Sequence, residues 1–199
     1  MINDPLEQTE ERSIFTGAPS FSLANRSLRA LWLLTWTLLA AWTPPPLHRW
    51  RVFLLRCFGA RMGTGCRIYG SSRIWYPPNL SMAEQSVLGP GVTCYNQGIV
   101  EIGRRAVISQ RAHLCTGSHD ITSSTFQLIT RPITIGENAW VCAEAFVGPG
   151  VTLHPGAVLA ARAVAFSDLD SWTVYRGNPA APFKSRPNHR AARASVGEG

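Results

Sequence analysis

The sequence predicts an all-β fold, a solenoid whose short strands coil into a parallel β-helix. Between residues 133 and 164 an aliphatic residue opens every unit of six, and a small or β-branched residue follows four places later. No helix repeats every six residues and a single strand alternates every two, whereas hexapeptide β-helices have this period. A sandwich rich in Gly and Ala is the alternative. The aliphatic positions are Ile135, Val141, Val147, Leu153 and Leu159, and the small positions are Ala139, Ala145, Val151, Ala157 and Ala163.

Two further observations favour the solenoid. The chain contains 17 Gly and 14 Pro, as a fold with a turn every few residues requires. The spacing of six also extends back to Cys66, with two shifts of phase, and stops between residues 116 and 132. Insertions between repeats become projecting loops, and a loop of this length is typical of a functional segment. The earlier repeat positions are Ile68, Ile74, Leu80, Met82, Leu88, Cys94, Ile102, Ile108 and Leu114.

The pattern divides the chain into four parts. The polar N-terminus predicts an irregular segment, and the last dozen residues, rich in Ala, Arg and Gly, predict a disordered tail. The parts are residues 1–26 (irregular segment), 27–62 (helical region), 63–172 (β-helix, with the loop at 116–132) and 173–199 (closing segment and tail).

The helical region is strongly apolar. Residues 27–42 predict a helix that Ser27 caps and Pro44 ends, and a shorter helix is expected over 47–58. The first helix is apolar on almost every side and is shorter than the ~20 residues that span a bilayer. It therefore either packs on the solenoid or makes peripheral contact with a membrane through residues 27–61, where tryptophans and arginines suit the headgroup zone.

The net charge of +7 is unevenly distributed. Nine arginines and no acidic residue lie between Glu11 and Glu84, a field that attracts a phospholipid surface or a phosphate-bearing substrate. No nucleic-acid-binding motif accompanies it, so we expect no nucleic-acid partner. The five cysteines lack the spacing of a disulfide framework or a zinc site, and no secretory signal is recognisable. We expect a cytoplasmic protein, with peripheral contact at the inner face of the membrane left open.

The interrupting loop begins with Thr-Gly-Ser-His-Asp at residues 116–120. An imidazole changes its charge near neutral pH, so a histidine such as His119 can take a proton from a hydroxyl group. Asp120 is adjacent but points elsewhere if the chain is extended. The sequence does not identify the group that orients His119, and a backbone carbonyl is one candidate. A solvated loop histidine without a role is the alternative.

These segments together resemble the hexapeptide-repeat acyltransferases. The resemblance covers roughly residues 25–186 and is strongest to the colanic acid biosynthesis acetyltransferases, which are related to the maltose and galactoside O-acetyltransferases. The hexads and the His119 loop carry it. It also rests on Pro-Ile-Thr-Ile-Gly-Glu-Asn-Ala-Trp at 132–140, Gly-Pro-Gly-Val-Thr at 148–152, Arg-Gly-Asn-Pro-Ala at 176–180 and Pro-Leu-His-Arg-Trp at 46–50.

The resemblance implies a left-handed β-helix that forms a homotrimer, with active sites in clefts between neighbouring solenoids. It implies an O-acetyltransferase that uses acetyl-CoA, needs no metal, and acylates a sugar of a surface polysaccharide or exopolysaccharide, or its lipid- or nucleotide-linked precursor. His119 matches the family's general base. Asn96 resembles the asparagine near the oxyanion of related enzymes, and a turn residue at a corner is its alternative.

The resemblance also implies the cofactor contacts. Trp140 either stacks on CoA or covers a coil, while Ala143 and Ala161 would let the backbone meet the pantetheine arm. Two departures from the family pattern concern this site: Phe166-Ser167 replaces a common Thr-Lys, and Glu144 replaces a small residue. The expected partners of the CoA phosphates are Arg176, Lys184 and Arg186.

Two rival functions remain open. A γ-class carbonic anhydrase shares the solenoid but needs three histidines around zinc, of which His113 and His119 supply two and the other three histidines are poorly placed. A non-catalytic scaffold at a membrane would use only the helix and the arginines, and the long histidine-bearing loop argues against it.

Overall fold

The computed structural model describes residues 20–188. It contains two helices, α1 (Leu23–Leu39) and α2 (His48–Cys57), followed by nineteen strands. The predictions for residues 1–19 and for the tail from residue 189 lie outside the described residues. The strands are β1 (Arg61–Met62), β2 (Arg67–Ile68), β3 (Arg73–Ile74), β4 (Leu80–Met82), β5 (Val87–Leu88), β6 (Thr93–Tyr95), β7 (Val100–Ile102), β8 (Val107–Ile108), β9 (His113–Cys115), β10 (Gly117–His119), β11 (Leu128–Thr130), β12 (Ile133–Ile135), β13 (Trp140–Val141), β14 (Phe146–Val147), β15 (Thr152–Leu153), β16 (Val158–Leu159), β17 (Val164–Ala165), β18 (Thr173–Arg176) and β19 (Ala181–Ser185).

Three sheets form the faces of the solenoid. Face A contains β1, β4, β7, β12 and β15; face B contains β2, β5, β8, β13, β16 and β18; face C contains β3, β6, β9, β14 and β17. Consecutive strands belong to faces A, B and C in turn, and strands within each face pair in parallel, so the chain winds as a coil. Antiparallel pairing is confined to β10 with β11 and to β18 with β19. The predicted parallel β-helix is confirmed.

The hexad positions form the core. All five aliphatic residues from Ile135 to Leu159 and all five small residues from Ala139 to Ala163 are at most 1% exposed. Parallel pairing places the same position of successive coils in register, as with Val141 and Leu159 on face B. Aliphatic side chains therefore stack on their equivalents along the axis, which the two-layer packing of a sandwich does not provide.

The length of each coil explains the phase shifts. Arg61 pairs with Ser81 and Ser81 with Glu101, 20 residues apart, whereas Thr134 pairs with Thr152, 18 residues apart. The steps from face A to B and from B to C stay at six residues, so the two extra residues lie at the corner between faces C and A. We call this edge of the solenoid the C–A edge.

The helix and the solenoid both begin earlier than the sequence predicts. Ser22, not Ser27, is the N-cap, and its hydroxyl accepts a hydrogen bond from the backbone N–H of Asn25 at 3.2 Å. A helix thus starts inside the segment that we expected to be irregular. The first strand begins at Arg61, two residues before the predicted boundary, because Arg61–Met62 pairs with the next coil.

Helix α1 packs on the first coil through two tryptophans. The indole N–H groups of Trp32 and Trp36, both buried, donate hydrogen bonds to the carbonyls of Ile74 (2.7 Å) and Gly70 (3.0 Å). The opposite side of the helix, which includes Leu34, is exposed. Packing on the solenoid therefore accounts for one side of α1 and leaves the other side unexplained.

The buried Arg51 holds the two helices on the first coil. Its side chain has no exposed surface, and its Nε donates a hydrogen bond to the Ile68 carbonyl at 2.6 Å. Its Nη atoms donate to the carbonyls of Thr43, Pro44 and Pro45. A buried cation needs polar partners, and here backbone carbonyls of the turn between α1 and α2 supply them instead of a carboxylate.

We expect Arg51→Met to lower the free energy of unfolding by about 2–4 kcal/mol, because it removes the buried donor that joins the Ile68 carbonyl to three carbonyls of the turn between α1 and α2. Thermal unfolding followed by circular dichroism measures the change. Arg49→Met is the matched control, since Arg49 is an exposed arginine of the same helix. A melting temperature no lower than that of the control would contradict the structural role of Arg51.

Candidate active site

The loop predicted at 116–132 is a two-stranded hairpin, β10 and β11, that leaves the third coil at the C–A edge. Its root is held by the buried Thr116, whose hydroxyl accepts a hydrogen bond from Gly98 N–H (2.9 Å) and donates to the Tyr95 carbonyl (3.2 Å). The Arg131 N–H closes the hairpin on the Thr116 carbonyl at 3.0 Å. The projecting loop is confirmed, and its base is attached firmly to the coil before it.

His119 is oriented by a backbone carbonyl. Its Nδ1 lies 2.9 Å from the Phe126 carbonyl oxygen, and the two rings stack with centroids 4.6 Å apart. A carbonyl oxygen only accepts, so Nδ1 carries the proton and Nε2 keeps the free lone pair that a base requires. Asp120 does not orient the ring, because its carboxylate accepts hydrogen bonds from the Thr122 N–H (2.9 Å) and hydroxyl (2.6 Å).

His119 lines a cavity of about 350 Å³ between the hairpin, the C–A edge and the start of α1. Arg26 and Arg29 of α1 and Gln97 of the second coil contribute to the wall, and the sequence analysis did not single out these three residues. The arginine-rich, acid-free stretch before Glu84 and the phase shift near Gln97 were the available signals. The lining residues are Ser20, Phe21, Arg26, Arg29, Gln97, His119 and Leu128.

Arg29 is held between aromatic rings. Its guanidinium carbon lies 4.1 Å from the Trp75 ring centroid and 5.4 Å from that of Phe21, and its Nε donates to Asn25 Oδ1 at 3.0 Å. Burial lowers the pKa of Arg29, although a guanidinium stays charged at neutral pH. Among residues 20–188, neither Arg29 nor Arg26 forms a salt bridge. Within residues 20–188 the cavity therefore contains cationic groups that no protein carboxylate pairs with.

Gln97, another residue of the cavity lining, has an unsatisfied acceptor. It is 5% exposed, its Nε2 donates to the Tyr95 hydroxyl at 3.1 Å, and its buried Oε1 has no hydrogen-bond partner within residues 20–188. A Cβ at Gly117 would collide with this oxygen, so the first residue of β10 must be small. An orphaned buried acceptor costs free energy, and such groups commonly occur where a ligand supplies the missing donor.

Asn96 is a structural residue of the C–A edge. It is fully buried, its Oδ1 accepts from the N–H groups of Trp75 (3.2 Å) and Tyr76 (3.1 Å), and its Nδ2 donates to the Tyr76 carbonyl at 2.7 Å. Asn79 donates in turn to the Gln97 carbonyl at 2.6 Å. These amides satisfy the backbone where two extra residues widen the coil, which favours the turn-residue alternative. A catalytic role for Asn96 stays a prediction.

The small cofactor candidates lie on another part of the solenoid. Ala143 and Ala161 occupy equivalent positions at the corner between faces B and C, which we call the B–C edge; the Arg162 N–H donates to the Ala143 carbonyl at 3.0 Å. Trp140, on the outer side of face B, is 44% exposed and donates from Nε1 to Ser109 Oγ at 2.8 Å. This edge therefore offers exposed backbone beside small side chains.

Glu144 forms salt bridges with two arginines of the B–C edge, Arg111 and Arg162. Its carboxylate lies 2.7 Å from Arg162 Nε and 3.4 Å from Arg111 Nη2, and the hydrogen bond from Arg162 lowers the pKa of Glu144. All three residues have φ near +60° at the same corner of successive coils. The departure from the family pattern at this position thus places one carboxylate between two cations.

The basic cofactor candidates lie on the terminal β18–β19 hairpin. The Arg176 guanidinium carbon is 3.6 Å from the Phe183 ring centroid, and Lys184 Nζ is 5.8 Å from it. Arg186 is partly committed, because its Nη1 donates to the carbonyls of Asn138 (2.8 Å) and Gly156 (3.1 Å). Arg176 and Lys184 are exposed, so their charges are available to a ligand.

The described chain does not bring the two groups of candidates together. The lining of the His119 cavity includes none of the six cofactor candidates. No group of three or more His, Cys, Asp or Glu side chains that could hold a metal ion occurs within residues 20–188. His113 packs edge-on against Phe146, its buried Nε2 has no hydrogen-bond partner among the described residues, and burial lowers its pKa.

Comparison with known proteins identifies a relative that is named as an acetyltransferase. No protein-family model matches the chain. It is 40% identical over 177 residues to the "Putative colanic acid biosynthesis acetyltransferase WcaF" of Escherichia coli K12, covering 89% of this chain and 97% of that protein. The carbonic anhydrase and scaffold alternatives are not favoured by such a relative.

Solved structures share the fold. A maltose O-acetyltransferase from Clostridium difficile 630 superposes with a TM-score of 0.75 at 20% identity, covering 84% of this chain and 90% of that chain. A hexapeptide-repeat acetyltransferase from Vibrio cholerae, solved with acetyl coenzyme A, gives a TM-score of 0.75 at 19% identity over 84% and 91% of the two chains. The chain is an acetyltransferase and belongs to the family of the colanic acid biosynthesis acetyltransferases, within the hexapeptide-repeat enzymes.

Proposed function

We propose that the protein is an O-acetyltransferase that moves an acetyl group from acetyl-CoA to a sugar hydroxyl of a surface polysaccharide or its precursor. The observation that carries the proposal is the state of His119. The Phe126 carbonyl holds Nδ1–H, which leaves Nε2 as a base in a cavity large enough for a sugar. The name of the Escherichia coli relative supports both the acetyl group and the polysaccharide.

In this reaction His119 acts as general base. Its Nε2 takes the proton of the acceptor hydroxyl while the hydroxyl oxygen attacks the thioester carbonyl carbon. The C–S bond then breaks, and the imidazolium returns the proton to the departing thiolate, giving an O-acetyl ester and free CoA. The Phe126 carbonyl stabilises the imidazolium by accepting the Nδ1–H hydrogen bond throughout.

We propose that the complete site forms between two copies of the chain in a homotrimer. The support is the separation of His119, at the C–A edge, from Ala143 and Ala161, at the B–C edge. A cleft between neighbouring solenoids would place one edge of each type face to face. Small side chains at the B–C edge suit close approach of a pantetheine arm, and the exposed Arg176 and Lys184 suit its phosphates.

We also propose peripheral membrane contact through the outer surface of the helices. Trp50 stacks on Phe53 and donates from Nε1 to the Leu39 carbonyl at 2.7 Å, which joins the exposed sides of α1 and α2 into one surface. Within residues 20–188 neither helix is long and apolar enough to cross a bilayer. Tryptophans and leucines on such a surface suit the headgroup boundary. This surface, the helix patch, comprises Leu31, Leu34, Leu38, Trp42, Trp50 and Phe53.

We expect His119→Ala to lower kcat for acetyl transfer by roughly 10²–10⁴-fold, because no other group removes the hydroxyl proton. Thiol release from acetyl-CoA in the presence of glycan acceptors measures the rate, and the melting temperature checks the fold. His154→Ala is the control, since His154 is an exposed histidine of the solenoid. Equal rates for the two variants would remove His119 from the role of base.

We expect complementation between two inactive variants. Ala161→Trp blocks the proposed cofactor wall and His119→Ala removes the base, so each variant alone is inactive. When they are coexpressed and co-assembled, some clefts combine the intact edge of each chain, and random mixing restores roughly a quarter of the wild-type rate. A mixture as inactive as its components would show that both edges act within one chain.

We expect Leu34→Asp with Leu38→Asp to weaken binding to vesicles that contain anionic lipid by about tenfold or more, because two carboxylates enter the helix patch. Vesicle flotation measures the bound fraction. Ile121→Asp is the control, since Ile121 is 83% exposed at the tip of the hairpin. If the double variant binds vesicles normally but loses its oligomeric state, the helix patch contacts another copy of the chain and the membrane proposal is wrong.

A further inference from the structure

We infer that the acceptor carries an anionic group, a phosphate or a carboxylate, which Arg29 and Arg26 bind beside His119. The inference rests on the proposed function and narrows its substrate class. It starts from the His119 cavity, where helix α1 places two guanidinium groups in the same wall as the base. The two arginines would be specificity-determining residues for the acceptor, since they line the cavity without taking part in proton transfer.

The first support is the geometry of Arg29. The Trp75 and Phe21 rings and the Asn25 side chain fix the plane of its guanidinium, with Nε as the bonded atom. Its Nη1 and Nη2 make no hydrogen bond within residues 20–188. A planar guanidinium with two free N–H edges and a fixed orientation suits bidentate binding of a phosphate or carboxylate.

The second support is the balance of charge. Two glutamates elsewhere in the solenoid pair with arginines: Glu137 with Arg105 at 2.9 Å and Glu144 with Arg162 at 2.7 Å. The described arginines of the His119 cavity have no such partner. Asp120 is the acidic residue nearest in sequence to His119, and its carboxylate is bonded to Thr122. Arg29 is partly desolvated, and within residues 20–188 neither it nor the exposed Arg26 has a counter-ion, so the pair attracts an anionic ligand.

The third support is the orphaned oxygen of Gln97. This side chain is 5% exposed, and its Oε1 accepts no hydrogen bond from residues 20–188. A sugar hydroxyl would supply the missing donor. The cavity thus combines a base for one hydroxyl, an acceptor for a second hydroxyl and cations for an anionic substituent, which together describe an acidic or phosphorylated saccharide.

A purely structural role for Arg29 is the competing explanation: its guanidinium would pack as a flat plate against the Trp75 and Phe21 rings and bind no ligand. We call this the plate role. The two roles differ in what they affect. A plate stabilises the fold and changes the rate with every acceptor alike. A binding site changes the selectivity between charged and neutral acceptors and is weakened by salt.

The experiment compares matched acceptors at saturating acetyl-CoA. One oligosaccharide is offered in neutral form, with a terminal phosphate, and with a uronic acid carboxylate, and thiol release gives kcat/KM for each. For the wild type we expect at least one anionic form to be preferred by about tenfold or more, with the preference falling as salt is raised. The preferred form identifies the source of the charge as phosphate or carboxylate.

Arg29→Gln and Arg26→Gln should each lower the ratio of anionic to neutral kcat/KM by about tenfold, mainly through KM. Arg29→Lys should restore part of the ratio because it returns the charge without the fork. Arg67→Gln is the control, since Arg67 is an exposed arginine on face B of the first coil. Gln97→Leu should weaken all three acceptors.

The failure of the inference and the failure of the proposed function are distinguishable. If no glycan is acetylated, the proposed function is wrong and the inference falls with it. If glycans are acetylated but the neutral form reacts as well as the anionic forms, only the inference is wrong. A lower melting temperature of Arg29→Gln together with an unchanged acceptor ratio would establish the plate role and overturn the inference.

Discussion

Parallel stacking of coils is the constraint on which the whole molecule depends. Each coil is too small to bury its own aliphatic residues, and its strands of two or three residues are too short to be stable alone. The backbone groups of one coil pair with the next, and Val141 contacts its equivalent Leu159 only while the register holds. A change in one coil is therefore transmitted to its neighbours, and the chain can deviate only at a corner, where added residues do not disturb the pairing on the three faces.

The deviations that do occur share the C–A edge. Two extra residues widen the first and second coils there, and the hairpin of His119 leaves the third coil at the same corner. The buried amides of Asn79 and Asn96 satisfy the widened backbone, and Thr116 fastens the hairpin to the coil before it. The paired strands of the three faces support the C–A edge, and this edge accommodates the extra residues and the hairpin that interrupt the repeat.

Much of this arrangement could be predicted from the sequence, because a period of six favours a β-helix over a sandwich and the phase breaks mark its corners. The break in the repeat likewise predicted a projecting loop that carries His119, but not that the loop is a hairpin or that the Phe126 carbonyl orients the imidazole. The start of α1 was not predictable, since Ser22 and Ser27 are both acceptable caps and the sequence alone does not choose between them. The roles of Arg29 and Gln97 in the cavity were not predictable either. The repeat pattern shows which residues are neighbours along the axis of the solenoid. It does not show that α1 packs beside His119 or that Gln97 lines the same cavity.

The attachment of α1 has a consequence for how the protein can be shortened. Trp32 and Trp36 fasten the helix to the first coil, and Arg26 and Arg29, on the preceding turns, line one cavity together with the hairpin of the third coil. A fragment that begins at Arg61 would keep every strand of the β-helix. It would lose the wall that α1 gives to the His119 cavity, and the imidazole would face bulk water. The N-terminal helix looks separable from the repeats in the sequence, yet in the folded protein it forms one wall of the His119 cavity.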